Sequence, residues 1–239
     1  MTEEEIQVIF NNVSIPRIST YTHLGFKDGS EELIEAYFSI QEISSHFFVP
    51  IQILEICLRN SISSALSKRF SPSVTGVERE WYELLPFSET SRSMVATAKK
   101  KAEEKCGDNF TEDDLISRLM FGFWVYCLEP IHADNKRNPY HFWQYEIDNI
   151  FPGRKGRNIA TMFQELRNIN TKRNRLYHHE PIWKKKRANT FNKAVRSLKR
   201  EYYVVNDALG WTSPVKKRYM ESLGYVDRFE ECCRKHLGE

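Results

Sequence analysis

The chain has 239 residues, a formal net charge of +3 from 35 Lys+Arg against 32 Asp+Glu, 41% apolar residues, 13% aromatics and 28% charged residues. That aromatic content excludes a disordered chain, and 10 Gly with 9 Pro exclude a collagen-like or low-complexity one. The length is ample for a hydrophobic core.

Taken in chain order, the segments between prolines repeat their apolar residues with a period near 3.6 and show no competing alternation. Residues 1–29 read as an N-terminal extension, with Asn11–Gly29 largely irregular. Ser30–Phe48 is helical, with Leu33, Tyr37, Ile40 and Phe47 on its apolar side. Pro50–Phe70 opens with Pro near a helix start and carries Ile51, Leu54, Leu58, Ile62, Ala65 and Leu66. After an irregular Ser71–Val77, Ser88 caps a lysine-rich helix to about Lys105. Thr111 with Asp114 forms a capping-box-like start for a helix running to Leu128. Glu129–Pro139 is irregular, Tyr140–Ile150 is a short aromatic helix, and Arg157–His178 is a long one that stops before Pro181. Lys184–Leu209 carries Phe191, Val195, Leu198, Tyr202, Val205 and Leu209 at 4-3-4-3-4 spacing, which suits either a core stripe or an interhelical seam. Pro214 opens a last helix towards His236. The expected fold is all-α, a single helical domain over residues 30–239 with about eight helices.

Five cysteines, an odd number with no CxxC, suggest reduced thiols. The acidic start lacks the positive flank of a signal peptide, and the longest apolar run, Leu119–Leu128, is about half a membrane span. A cytoplasmic protein with no membrane association is expected. No metal site or cofactor is expected either: adjacent Cys232 and Cys233 and the His178-His179-Glu180 run are not spaced zinc ligands, and no HExxH occurs.

The net charge hides an uneven distribution. Residues 1–135 hold 12 basic and 21 acidic residues, whereas 136–239 hold 23 and 11. Arg154–Arg200 alone contains 15 basic residues and two acidic ones, Glu165 and Glu180. With Trp183, Phe191, Tyr202 and Tyr203 nearby, this segment suits a polyanion whose bases stack on aromatic rings. It equally suits a solvated face balanced by the acidic half.

Along Arg157–His178, Ile159, Met162, Phe163, Leu166, Ile169, Leu176 and Tyr177 form one stripe, and Arg173 falls in its middle. A guanidinium there needs a partner or an anionic ligand, unless it snorkels to the surface. Glu55 breaks the apolar face of Pro50–Phe70 in the same way, and either Arg59 or Arg173 is a suitable partner for it. Asn174 and His178 share a helix face, whereas Arg173 and His178 lie ~140° apart on a straight helix. One straight helix therefore does not aim both at one phosphate. These residue types suit metal-independent RNA cleavage, in which a histidine moves protons and an arginine stabilises the charge on phosphorus. A pair of histidines placed at a helix C-terminus by the macrodipole is the plainer reading.

Four stretches carry a family likeness: Leu54-Glu55-x-x-Leu58-Arg59-Asn60; Phe121-Gly122-Phe123-Trp124; Phe163-x-x-Leu166-Arg167-x-Ile169; and Arg173-Asn174-Arg175-Leu176-Tyr177-His178-His179-Glu180-Pro181-Ile182-Trp183. In this order the chain resembles the Abi-like abortive-infection proteins of the HEPN superfamily, over about residues 30–210. The last stretch matches that superfamily's signature, Arg, a polar residue and then His. The resemblance implies a helical bundle, a homodimer with facing signature helices, and a metal-independent endoribonuclease of antiphage, toxin-like defence. It implies that Arg173, Asn174 and His178 are catalytic and His179 a second candidate. Glu55, Arg59 and Asn60 would support the site, and Arg175, Lys184, Lys185, Lys186 and Arg187 would bind RNA. An antitoxin or a guide-like RNA would be a further partner. The alternative is a non-catalytic RNA- or protein-binding module of the same kind.

Overall fold

In the computed structural model, residues 1–77, 79–132, 140–183 and 188–238 are described, the side chain of Asp108 excepted. They contain fourteen α-helices and three short 3-10 turns, with no strand among them. The all-α expectation therefore holds. The helix count exceeds eight: five of the fourteen are single-turn or near-single-turn pieces, one longer helix lies in the first 29 residues, and the last expected helix is two.

Local signals position most starts. Ser30 Oγ accepts from Leu33 N at 3.2 Å and opens α3, Glu31–Ser45. Two short helices precede it, α1 (Glu3–Val13), which begins with a Thr2–Glu5 capping box, and α2 (Ile15–Ile18). Helix α4 is Phe48–Arg69, followed by the short α5 (Pro72–Thr75) and α6 (Trp81–Leu84). Ser88 caps α7, Glu89–Cys106. Thr111 and Asp114 make the expected capping box at α8, with reciprocal bonds of 3.2 and 3.0 Å.

Helix α8 is only Glu112–Ile116, however, and does not run to Leu128. Met120 adopts an extended backbone and a separate helix, α9, covers Phe121–Tyr126. The reason is burial. Phe121, Phe123 and Trp124 are fully buried and Val125 is 1% exposed, so this turn is enclosed on every side. A helix continuing the amphipathic α8 would have only one face to bury. At the break the Asp114 carbonyl accepts from the Ser117 hydroxyl and the Arg118 guanidinium.

Beyond α10 (Trp143–Ile150) come α11, Ile159–Tyr177, and α12, Phe191–Thr212. The last expected helix is also two: α13, Pro214–Ser222, and α14, Tyr225–Leu237. Gly224 separates them at φ 74°, a left-handed conformation that no continuous right-handed helix contains. Along α12, Val195, Leu198, Tyr202, Val205 and Leu209 are at most 1% exposed, which makes the heptad-like spacing a core stripe of the chain itself.

The chain forms two compact units, each assembled from separated segments. The first comprises 1–51, 171–206 and 217–239. Its core centres on Tyr202 stacked on Phe229 at 3.8 Å, with the Phe47 edge against both rings. Phe10, Ile18, Tyr21 and Leu24, from the first 29 residues, are buried within it.

The second unit comprises 52–170 and 207–216. Its centre is aromatic: Trp81, Phe87, Phe123, Trp124 and Phe142 are nearly or fully buried. Buried Trp81 donates to Glu112 Oε1 at 2.5 Å. His132 is buried among these rings, 5.4 Å from Phe87 and 5.6 Å from Phe142. Neither of its ring nitrogens has a hydrogen-bond partner among the described residues. Burial, and then nearby His141, lowers its pKa from 6.5 to about 4. The unfolded chain therefore takes up a proton first as pH falls. Stability should be full above pH 6.5 and should decline towards pH 4, by up to ~1.4 kcal/mol per pH unit. Urea unfolding between pH 7 and 4.5 measures the slope, and His132→Phe should flatten it.

Candidate functional site

The candidate residues occupy the last turn of α11 and the segment that leaves it. This helix buries Met162, Phe163, Leu166, Ile169 and Leu176, as its periodicity requires. Towards its C-terminus the buried face rotates. The buried cation is Lys172, 8% exposed, and Arg173 is half-buried. Lys172 Nζ is 2.5 Å from Glu201 Oε2 on α12, so a close ion pair accompanies the buried charge. Lys172 lies ~100° from Arg173 around the helix. Small drifts of the buried face decide which of the two is enclosed, and a straight-helix projection misses that drift.

Arg173 is held in a fixed place. Its guanidinium lies over the Tyr177 ring, 4.3 Å from the centroid, and its Nη1 donates to Asn174 Oδ1 at 3.3 Å. Tyr177 in turn meets the Phe48 ring edge-on at 5.6 Å. The planar cation is thus pre-oriented by an aromatic face and an amide, as a phosphate clamp requires. Arg175 Nε is engaged by Glu180 Oε2 at 3.2 Å, with both groups largely exposed.

The end of α11 is a Schellman motif. His178 N donates to Asn174 O at 3.0 Å, which keeps the helical turn through the cap. Glu180 N bonds Arg175 O and His179 N bonds Leu176 O, the 6→1 and 5→2 pair. His179 supplies the left-handed residue at φ 56°, where glycine is the usual occupant. Arg17 Nη1 also donates to the His179 carbonyl at 3.5 Å. The His179 position therefore has a backbone explanation. His179→Gly should relieve that conformation and stabilise the chain by about 0.5–1 kcal/mol, after the entropy glycine gains when unfolded is deducted. A thermal melt reads this as a rise of ~1–4 °C.

Because the helix is intact to its cap, Arg173 and His178 remain ~140° apart on it. The side chains of His178 and His179 are both exposed. The structure thus brings Arg173, Asn174 and Tyr177 together and leaves the histidines facing solvent. Glu55, Arg59 and Asn60 lie on α4 in the second unit, where Arg59 Nε donates to Asn60 Oδ1 at 3.1 Å. Lys184, Lys185, Lys186 and Arg187 lie outside the described residues.

At least four of the fifteen cations in the basic segment are paired among the described residues: Arg154 with Asp148, Lys172 with Glu201, Arg175 with Glu180 and Lys199 with Glu230. Arg196 and Arg200, one turn apart on α12, are exposed. Sequence reading did not single them out, although their i,i+4 spacing outside the core stripe could have done so. In the second unit, a 540 Å³ cavity lined by Arg69, Phe70, Tyr140 and Glu146 among others includes none of the sequence-chosen residues.

No family model matches the chain, and neither a curated protein nor a solved structure does. No described helix is long and apolar enough to cross a membrane.

Proposed function

We propose that the chain is a metal-independent endoribonuclease of the HEPN type, acting in abortive-infection defence. One observation carries this reading: Arg173 is pre-oriented by Tyr177 and Asn174 on the same helix end that presents an exposed His178. Arg173 would clamp the scissile phosphate and stabilise the charge that builds on its oxygens. His178 would take the proton from the ribose 2′-OH or give one to the departing 5′-oxygen. The 2′-oxygen bonds to phosphorus as the bond to the 5′-oxygen breaks, leaving a 2′,3′-cyclic phosphate and a 5′-OH. The ~140° between the two residues calls for a groove built from two copies, the Arg173 of one chain facing the His178 of the other. Arg196 and Arg200, with the Lys184–Arg187 run, supply positive charge for the backbone.

The test is to incubate purified protein with total RNA in EDTA and map the ends. Cyclic-phosphate ends from wild type, lost in Arg173→Ala and His178→Ala, support the reading. Cleavage only on adding a metal, or undiminished cleavage by His178→Ala, defeats it.

A second reading has its own observation. Exposed Tyr177 beneath Arg173 is a cation-backed stacking platform of the kind that binds single-stranded RNA without cutting it. Salt-dependent RNA binding that weakens in Tyr177→Ala, with no cleavage at any salt, would favour it.

A further inference from the structure

Helix α14 places Cys232 and His236 four residues apart, on one face of its last turns. Glu42, near the end of α3, meets them within the first unit. One donor atom from each residue lies within 4.8 Å of the others. His236 Nε2 is 2.7 Å from Glu42 Oε2, and Lys235 Nζ is 3.1 Å from both Glu42 oxygens. Cys232 is buried at 6% exposure, His236 is half-buried and Glu42 is exposed.

We propose that Glu42, Cys232 and His236 form a zinc site, with three protein ligands and a fourth position open to water. Thiolate, imidazole and carboxylate are the donors zinc prefers. A tetrahedral ion with ~2.0–2.3 Å bonds needs donor atoms about 3.5 Å apart, so side-chain rotations of about 1 Å suffice, opening the 2.7 Å His236–Glu42 pair and closing the wider separations. Thiolate and carboxylate together balance the double charge of the ion. Lys235 now occupies the carboxylate and would withdraw to solvent, where its 64% exposed side chain already extends. Burial, and then Glu42, push the Cys232 thiol up to about 11. Zinc binding would release that proton, because a coordinated thiol is deprotonated. Cys233, fully buried, lies ~100° further round the helix and is not a fourth donor. The site shares no residue with the cleavage reading and does not depend on it.

Chelator-stripped full-length protein titrated with cobalt(II) tests the site directly. One cobalt per chain is expected, with a sulfur-to-cobalt charge-transfer band and tetrahedral d–d bands, displaced by zinc. Cys232→Ser should abolish the charge-transfer band, whereas Cys106→Ser, at an exposed thiol, should keep it. Glu42→Gln alters an exposed side chain, so the fold persists, and it should weaken zinc at least tenfold in a chelator-dye competition. Absence of a thiolate band in wild type, or an equal band in Cys232→Ser, overturns the proposal. So does unchanged zinc affinity in Glu42→Gln.

Discussion

His178→Ala is expected to slow RNA cleavage by about 10²–10⁴, the usual loss when a general acid or base is removed. Arg173→Ala should lose at least as much, because it removes the clamp and leaves the Tyr177 platform without its cation. Neither change enters the core: His178 is exposed and Arg173 half-buried, so both variants should melt within a few degrees of wild type. His179→Gly should retain cleavage, since its neighbour carries the chemistry in this reading. The composite groove makes a sharper demand. If the proposed two-chain groove forms, mixing the two inactive variants should restore activity, because a mixed dimer would assemble one groove with Arg173 from one chain and His178 from the other. With free exchange of an equimolar mixture, about a quarter of wild-type activity should return. If single-turnover rates show the variants inactive alone and inactive mixed, despite mixed dimers in solution, the two-chain groove is wrong even where cleavage itself is right.

Gly153→Ala should be the most damaging single-methyl change in the second unit. Gly153 lies between α10 and α11 and donates its N–H to Trp211 O at 2.9 Å, against the end of α12. An added Cβ would stand 2.0 Å from Gly210 O and 2.8 Å from Pro214 Cγ. Both obstacles are rigid, one a backbone carbonyl and the other a ring, so the turn itself must shift. Overpacking of this kind should remove about 2–4 kcal/mol and lower the melting temperature by ~5–15 °C. Gly156→Ala is the control. At φ 79° with nothing within 4 Å of its Cβ, it meets only the left-handed backbone penalty, about 1–2 kcal/mol. Equal effects from the two substitutions would mean that the Gly153 contact is not a tight one.

Much of this molecule follows from local chemistry. The 3.6-residue period, the Ser30 and Ser88 caps, and the Thr111–Asp114 box are each contained within a few residues, so the sequence by itself determines the helical class and several of the helix starts. The Arg173-Asn174 pair and the histidines beside it are adjacent in the chain, and so were legible too. Tertiary structure decided the rest. Phe121–Val125 is buried on all sides, and only its surroundings show why it needs a helix of its own. The choice of Lys172 over Arg173 as the buried cation depends on Glu201, 29 positions away on α12. Glu42 and His236 are 194 residues apart, so no spacing rule joins them with Cys232. The physical reason is common to all three. Helix propensity and capping are settled within one turn, whereas burial and the convergence of polar groups depend on which distant faces the folded chain presses together.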